Sequence, residues 1–271
     1  MKSVEENSSL SCILKDVEIL PFFQPIINIK TGRVFAYESL VRGRCKSTGK
    51  LISPVELFEL TDSHKVSREF DQFCQRLTLE SFKKYESDAL LLMNINTKCI
   101  IQEMVDELML PNLTEQMGFD PRVIGLEFIE SKANSPQELI SFVHQQRTKG
   151  FLIVVDDFGS EHSNIERLIL LHPDIIKIDR NIIQGIDTDV YRQSILKSIV
   201  SLSEMTGAVC LAEGVETPEE VYTCVLLGVN LLQGYAIAHP AADLVALEQE
   251  ALQNLKGFQH EIHDHASGYG S

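Results

Sequence analysis

Short apolar runs alternate with longer amphipathic stretches along this chain. The run from Phe151 to Val155 is typical of a strand buried on both faces, and it ends in the adjacent acids Asp156 and Asp157. Further apolar runs predict strands at 89–94, 123–129, 175–178, 208–212 and 230–236. Strands of this kind separated by helices favour an α/β fold with a parallel sheet.

The segments between these strands have a helical period. Helices are predicted at 66–85, 97–108, 112–117, 135–149, 163–171, 190–205 and from Pro218 onward. One more helix is predicted to begin at Ser53, because Ser53 and Glu56 have capping-box spacing and Pro54 takes the first helical position.

The first two strands are predicted at 19–26 and 34–41, joined by a short turn around Gly32. Such a short connection makes this pair an antiparallel hairpin. About eight strands interleaved with helices over 271 residues predict one TIM-like (β/α)₈ barrel rather than two separate domains. We expect residues 1–16 to be a leader or linker, residues 17–256 to form the barrel domain, and residues 257–271 to be a disordered tail.

Composition and charge exclude several classes of protein. The net charge of -15 argues against a partner such as polymeric nucleic acid, which requires a basic surface. The six cysteines lack zinc-site spacing, and most of them fall within apolar segments, as the small core residues of a reduced intracellular protein do. The N-terminal sequence does not resemble a signal peptide and no apolar run is long enough to span a membrane. We therefore expect a cytoplasmic location without membrane insertion.

Polar side chains follow successive predicted strands at the point where each strand ends. They are Glu38, Asn94, Glu127, Asp156, Asp157, Lys177, Asp179, Glu213 and Gln233. The carboxyl ends of parallel strands in a barrel converge on one rim, where the active sites of such folds lie. Ligands with oxygen donors alone favour Mg²⁺ or Mn²⁺ over Zn²⁺. Simpler alternatives are an Asp-Asp turn in which Asp157 caps the next helix, and ion pairs of Lys177 with Asp179 and of Arg42 with Glu38.

These residues form a pattern that resembles the EAL domains, the phosphodiesterases of the bacterial second messenger cyclic di-GMP. The matching motifs are Phe23-Gln-Pro-Ile26, Glu38-Ser-Leu-x-Arg42, Asn94, Glu127-x-x-Glu130, Asp156-Asp-Phe-Gly159, Lys177-Ile-Asp179, Ala212-Glu-Gly-Val-Glu216 and Gln233-Gly234. The resemblance covers about residues 18 to 245 and implies a (β/α)₈ barrel whose first strand is antiparallel.

The resemblance also implies a role for each matching residue. The implied metal ligands are Glu38, Asn94, Glu127 and Asp156 for one ion, with Asp156, Asp157 and Glu213 near a second. Catalysis is assigned to Lys177, which contacts the attacking water, to Glu213, which holds that water or acts as its base, and to Asp157. The implied substrate-binding residues are Leu40, Arg42, Asp179 and Gln233, with Glu130 and Glu216 in supporting positions.

By the same resemblance, the protein is a cyclic-guanylate-specific phosphodiesterase that uses Mg²⁺ or Mn²⁺, with two ions, to convert cyclic di-GMP to linear pGpG. Two cations would neutralise the phosphodiester and align the attacking water. A homodimer is a further expectation from the family.

The sequence departs from the family pattern at three places. Ser39 replaces an alanine, Gly43 replaces an aromatic residue that is common next to the substrate, and the loop from Ser160 to Asn164 differs from the usual sequence. The altered loop is the basis of an alternative hypothesis, a domain that binds cyclic di-GMP or a partner protein without cleaving it. A third hypothesis is an unrelated barrel metalloenzyme that acts on another phosphate ester.

Overall fold

The computed structural model describes residues 10–61, 64–96, 109–128, 136–160 and 165–268. Its strands are β1 Val17–Asn28, β2 Arg33–Cys45, β3 Leu51–Ile52, β4 Leu90–Ile95, β5 Ile124–Phe128, β6 Leu152–Phe158, β7 Ile175–Ile178, β8 Val209–Ala212 and β9 Leu231–Leu232. Its helices are α1 Leu10–Asp16, α2 Pro54–Leu60, α3 His64–Phe82, α4 Met109–Met117, α5 Pro136–Thr148, α6 Ile165–Leu171, α7 Arg180–Ile183, α8 Val190–Thr206, α9 Pro218–Leu226 and α10 Leu244–Gly268.

Eight of the strands close into a barrel in the order β1-β9-β8-β7-β6-β5-β4-β2, and a pairing between β2 and β1 completes the ring. The strand β1 is antiparallel to both of its neighbours, whereas the pairings from β2 through β4 to β9 are parallel. The short strand β3 extends β2 outside the ring. The predicted barrel with an antiparallel first strand is therefore confirmed.

The inside of the barrel is filled by one apolar layer to which seven strands contribute a side chain. Its members are Ile26, Ala36, Leu92, Val154, Ile175, Leu211 and Leu231, all at most 2% exposed. The eighth strand, β5, contributes Gly125, where an added Cβ would lie 2.5 Å from Leu92 Cδ2 and 3.0 Å from Val154 Cγ2. The missing side chain at Gly125 therefore makes room for its neighbours, and the barrel is a packed core rather than a pore.

Larger apolar side chains on the outer faces of the strands pack against the surrounding helices. A smaller cluster joins α2 and α3 to the start of β1 through Val17, Ile19, Leu57, Phe70 and Cys74. None of the helices in the described ranges is long and apolar enough to cross a membrane.

Local sequence signals explain several of the helix starts. The predicted capping box before α2 is present, since Glu56 accepts a hydrogen bond from the Ser53 backbone N–H at 2.9 Å and the Ser53 hydroxyl accepts from the Glu56 N–H at 3.3 Å. A second capping box begins α9, where Thr217 and Glu220 make the reciprocal pair.

The last strand is shorter than the sequence predicts. We expect a strand over 230–236, but β9 contains only Leu231 and Leu232. An added Cβ at Gly234 would lie 2.1 Å from the carbonyl oxygen of Val215, so the chain turns here against the backbone of the loop after β8. Glycine permits this close approach, and the turn ends the strand.

Both chain ends contain more helix than expected. The expected leader contains α1 from Leu10 to Asp16, and α10 extends into the expected tail as far as Gly268. The buried face of α10 formed by Leu247, Ala251 and Leu255 continues past Gly257 to Phe258, and a single glycine costs a helix only about 1 kcal/mol. The helix predicted at 97–108 lies outside the described residues.

Candidate active site

A polar layer lies directly above the apolar layer of the barrel. On each parallel strand the polar residue comes two positions after the apolar one, so both side chains point into the barrel. The pairs are Ala36 with Glu38, Leu92 with Asn94, Gly125 with Glu127, Val154 with Asp156, Ile175 with Lys177, Leu211 with Glu213 and Leu231 with Gln233. The antiparallel strand β1 approaches from the other direction, and there Gln24 comes two positions before Ile26.

Hydrogen bonds connect the first and last strands across this polar layer. The Gln233 amide Nε2 donates to Glu38 Oε2 at 2.6 Å and to Gln24 Oε1 at 3.2 Å. The Gln24 amide in turn donates to the carbonyl of Ala238 at 3.1 Å. The Asn94 amide donates to Glu38 Oε1 at 3.4 Å. Both oxygens of Glu38 are therefore held in place by neighbouring amides.

A β-bulge explains how two consecutive acids reach the same site. The pairing of β6 with β7 passes from Val155↔Ile176 to Phe158↔Ile178, so Asp156 and Asp157 together stand opposite a single residue of β7. Asp157 has a left-handed backbone with a φ of 55°, a conformation that aspartate tolerates better than most residues. Ligand oxygens of Asp156, Asp157 and Glu213 all lie within 4.8 Å of one another.

The ammonium group of Lys177 lies at the centre of four carboxylates. Its Nζ is 2.7 Å from Glu213 Oε1, 2.9 Å from Glu127 Oε1, 3.0 Å from Asp156 Oδ1 and 3.4 Å from Glu38 Oε2. The Lys177 side chain is only 1% exposed. Since Lys177 binds these four acids rather than Asp179, the simple ion pair considered in the sequence analysis is wrong.

One ammonium group does not balance the charge of this many acids. Burial first, and then the charge of Glu38, raises the pKa of Glu127 well above its usual range. Burial likewise raises the pKa of Glu213, and burial together with the charge of Asp156 raises that of Asp157 to about 6. Burial also opposes ionisation of Asp156, but the Lys177 ammonium and hydrogen bonds outweigh it and lower its pKa. The site therefore favours additional positive charge.

The donors at this site fit divalent cations with oxygen ligands. The side chain of Glu127 is fully buried, and its Oε2 atom has no hydrogen-bond partner among the described residues. A buried carboxylate oxygen without a partner is costly unless it binds a cation. The donor set consists of carboxylates and amides, as Mg²⁺, Mn²⁺ and Ca²⁺ prefer.

The remaining predicted site residues that the structure describes lie outside the acidic centre formed by Lys177, Glu38, Glu127, Asp156 and Glu213. Asp179 caps the short helix α7 by accepting the Asn181 N–H at 2.8 Å, and its charge helps to raise the pKa of Asp157. Glu216 forms an ion pair with Arg180 at 2.7 Å and is one-third exposed. Glu130 and residues 161–164 lie outside the described residues.

The predicted substrate-binding residues of β2 are partly exposed. Leu40 and Arg42 lie two and four residues beyond Glu38 on the same strand. The Arg42 guanidinium donates to the carbonyl of Val41 at 2.9 Å, and no ion pair with Glu38 occurs among the described residues. Neither side chain is fixed by the carboxylates of the centre.

At two positions where the sequence departs from the family pattern, the residue faces away from the mouth of the barrel. An added Cβ at Gly43 would lie 2.8 Å from Leu57 Cδ1 and within 3.1 Å of atoms of Val17 and Ile52, so this position faces α2 and the apolar cluster. The hydroxyl of Ser39 is hydrogen-bonded to the hydroxyl of Thr78 on α3 at 2.7 Å. Gly43 therefore provides no side chain for the aromatic contact expected near the substrate. The Ser39 hydroxyl has a buried hydrogen-bond partner in Thr78.

Gln24 is the site residue that the sequence analysis missed. The motif Phe23-Gln-Pro-Ile26 contributes to the family resemblance, but it predicts no role for its glutamine. The available signal was a lone polar residue within the apolar segment from Phe22 to Ile27. Because β1 is antiparallel, this residue reaches the polar layer from the middle of its strand, so it is not among the residues that follow an apolar run.

The fold and the site together define a closed α/β barrel with an acidic centre for divalent cations at the carboxyl ends of its strands. The model of the EAL domain family matches residues 7–240, and the chain belongs to this family.

Relatives and solved structures agree with this assignment. A relative from Escherichia coli, named probable cyclic di-GMP phosphodiesterase PdeA, is 29% identical over 88% of this chain, but the match covers only 33% of that protein. The Bacillus subtilis YkuI protein, solved with cyclic di-GMP and calcium, has a TM-score of 0.78 at 26% identity, with 96% of this chain and 67% of that chain covered. A standalone EAL protein from Vibrio cholerae, solved with cyclic di-GMP, has a TM-score of 0.73 at 27% identity, with coverage of 83% and 93%. The chain therefore spans about one third of the length of the Escherichia coli relative.

Proposed function

We propose that this protein is a metal-dependent phosphodiesterase that hydrolyses cyclic di-GMP to linear pGpG. The observation that carries this proposal is the convergence of Glu38, Glu127, Asp156 and Glu213 around Lys177 at the barrel mouth. The names of the relatives, which include cyclic di-GMP phosphodiesterases, support the choice of substrate.

Two sets of side chains would hold two Mg²⁺ or Mn²⁺ ions. The first set is Glu38, Asn94, Glu127 and Asp156, and the second is Asp156, Asp157 and Glu213. Bound divalent cations would supply positive charge against the phosphodiester and lower the pKa of water at the site. Asp156 belongs to both sets and would bridge them.

The chain's own residues would orient the reactants. Lys177 is fixed by four acids and donates from a buried position, so it would orient the attacking water and stabilise charge that develops on the phosphate. Glu213 is the most exposed of these four acids, with 18% of its side chain accessible, and would accept the proton of that water. Leu40, Arg42 and Gln233 would contact the substrate, Arg42 through its phosphate. Glu130 and Glu216 would have supporting roles.

Turnover of cyclic di-GMP by the purified full chain tests this proposal. We expect chromatography to detect pGpG in the presence of Mn²⁺ or Mg²⁺ and no product with EDTA. Glu38→Gln and Glu213→Gln should each lower kcat by about 100-fold or more, because each removes a charge on which the site depends. Glu204→Gln, at an exposed position of α8, is the matched control and should keep wild-type activity.

Two other results would contradict the proposal. Tight binding of cyclic di-GMP without turnover under any metal would support the non-catalytic domain, for which the altered loop beginning at Ser160 is the argument. Hydrolysis of bis(p-nitrophenyl) phosphate with no effect of cyclic di-GMP would indicate a different phosphate ester as the substrate.

The location and assembly of the protein are part of the same proposal. The described cysteines are all free thiols, which agrees with a cytoplasmic location. Ile165 and Ile169 of α6 are more than 60% exposed, which favours burial of this helix in a homodimer. Analytical ultracentrifugation should detect a dimer that Ile169→Glu converts to a monomer; a wild-type monomer at all concentrations would contradict this part.

A further inference from the structure

Helix α3 has a row of buried polar side chains on the face that it turns towards the barrel. Ser67, Asp71, Gln75 and Thr78 follow one another at intervals of four, four and three residues, so they share one face of the helix. All four are buried, with exposures of 8%, 7%, 2% and 2%. A buried polar row is costly unless its members are hydrogen-bonded, so its partners are informative.

The first two residues of this row, Ser67 and Asp71, bind the segment that follows β4. Asp71 accepts hydrogen bonds from the Gln75 amide at 3.0 Å and from the backbone N–H of Asn96. The Asn96 side chain donates to the Ser67 hydroxyl at 2.9 Å. Asn96 comes two residues after Asn94, whose amide contacts Glu38. Asp71 and Ser67 therefore fix the chain immediately beyond one of the proposed metal ligands.

The last residue of the row, Thr78, binds β2. Thr78 pairs with the hydroxyl of Ser39 at 2.7 Å, and Ser39 follows Glu38 directly. The helix α3 thus contacts both strands whose side chains, Glu38 and Asn94, form one side of the proposed metal centre. Among the described residues, the hydrogen bonds given above connect this polar row to Asn96 and Ser39 rather than to the acids around Lys177.

We propose that Asp71 is a positioning residue. Through the Asn96 backbone it holds the end of β4, so that Asn94 stays aligned with Glu38. The Ser39–Thr78 pair holds Glu38 in the same way. This inference rests on the proposed function. Asp71 accepts this backbone hydrogen bond at a buried position, where losing a partner is costly. Groups that orient metal ligands from behind commonly contribute about 10- to 100-fold to metal affinity.

The first experiment measures Mn²⁺ affinity by isothermal titration calorimetry, together with kcat and KM for cyclic di-GMP, in the full chain and its Asp71→Ala variant. We expect Asp71→Ala to bind Mn²⁺ about tenfold more weakly and to lose kcat with little change in KM. Asp71→Asn retains an oxygen that accepts the Asn96 N–H and should restore most of the affinity. Glu80→Ala, at an exposed position of the same helix, is the matched control.

A purely structural role for Asp71 would give a different result. The melting temperature of Asp71→Ala would then fall, while its Mn²⁺ affinity, measured well below the melting transition, would equal that of the wild type, and this outcome would overturn the proposal. Wild-type protein that binds Mn²⁺ but cleaves no cyclic di-GMP would refute the proposed function, and the affinity measurement would still test the positioning role.

If Asp71→Ala does not fold, two variants of the Ser39–Thr78 pair test whether α3 positions the proposed metal ligands. Thr78→Val preserves side-chain shape but leaves the Ser39 hydroxyl without this partner, and Ser39→Ala with Thr78→Val removes both hydroxyls. We expect the double variant to regain the melting temperature lost by the single one, while its Mn²⁺ affinity stays severalfold below that of the wild type. Recovery of both quantities would contradict positioning by this pair.

Discussion

Lys177 is the residue on which the acidic centre depends most directly. A buried lysine is usually unstable as a cation, but four carboxylates surround this one and raise its pKa despite the cost of burial. Removing one partner of a buried ion pair commonly costs 3 to 5 kcal/mol, because the other partner is left without compensation. Lys177 therefore serves the metal-free fold as well as the proposed reaction.

The variant Lys177→Met tests both of these contributions. We expect kcat for cyclic di-GMP to fall by about 100-fold or more, since the donor at the reacting centre is lost. In EDTA the variant should also melt below the wild type, and Mn²⁺ should raise its melting temperature by a larger amount, because the cation replaces the missing charge. Equal shifts on Mn²⁺ addition in the two proteins, measured by differential scanning calorimetry, would contradict this account.

Cys45 provides a second test at the level of single residues. Hydrogen bonds from Ser47, whose hydroxyl lies 3.2 Å from Sγ, and from Thr48 lower the pKa of this partly exposed thiol to about 7. Burial instead raises the pKa of the Cys210 and Cys224 thiols to about 12. Iodoacetamide at pH 7 should therefore modify Cys45 at least about tenfold faster than the two buried thiols, as measured by peptide mass spectrometry.

The hydrogen bond to Ser47 supplies the control for this reaction. Ser47→Ala should raise the pKa of Cys45 and slow its modification at pH 7, with a smaller effect at pH 9. Equal rates for Ser47→Ala and the wild type at pH 7 would contradict the assigned cause.

At the scale of the strands, an alternation with a period of two residues connects the core to the site. The same strands that fill the barrel with one apolar layer present the polar layer two residues further on. A shift of one residue in any strand would turn both side chains out of the barrel. The position of the acids is therefore set by the packing beneath them.

Gly125 is the position at which this packing leaves no space. We expect Gly125→Ala to lower the free energy of unfolding by about 1 to 3 kcal/mol, because its Cβ would overlap the Leu92 side chain. Leu92→Ala alone should also destabilise, by leaving a cavity. The double variant should lose less than the sum of the two, since the new methyl group occupies part of that cavity. Additive losses in urea titrations would refute the proposed contact.

Much of the fold could be predicted from the sequence because strong apolar runs mark the parallel strands. The acids were predicted at the mouth because each follows such a run, as Asp156 follows 151–155. The bulge that brings Asp157 to the same side depends on pairing between β6 and β7, which no local pattern records. Gln24 was missed for a similar reason, since its contribution depends on the direction of β1. The early end of β9 depends on a tertiary contact of Gly234 with Val215.

For the whole molecule, the buried carboxyl groups determine how the stability of the metal-free fold should respond to pH. In the metal-free fold, burial raises the pKa of Asp71 to about 7 and, together with Asp156, that of Asp157 to about 6; burial also raises those of Glu127 and Glu213. These four groups therefore bind more protons in the folded state than in the unfolded state between about pH 4 and pH 7. The stability that these four groups contribute is greatest below this range and decreases as the pH rises through it.

Melting curves with and without metal test this prediction. In EDTA we expect the melting temperature to fall by about 5 °C or more between pH 5 and pH 8. With Mn²⁺ the fall should be reversed or abolished, because cations bind the ionised carboxylates in place of protons. A melting temperature that rises with pH in EDTA would contradict the assigned protonation of the site.

The hydrogen bond between Gln24 and Gln233 joins residues that are 209 positions apart in the chain. During synthesis on the ribosome, the acids of β2 to β8 emerge before the strand that completes the ring. A nascent chain that stops before residue 233 lacks the amide that holds Glu38 from the side of β9. Under the proposed function, hydrolysis of cyclic di-GMP therefore requires that the ribosome has synthesised the chain beyond residue 233.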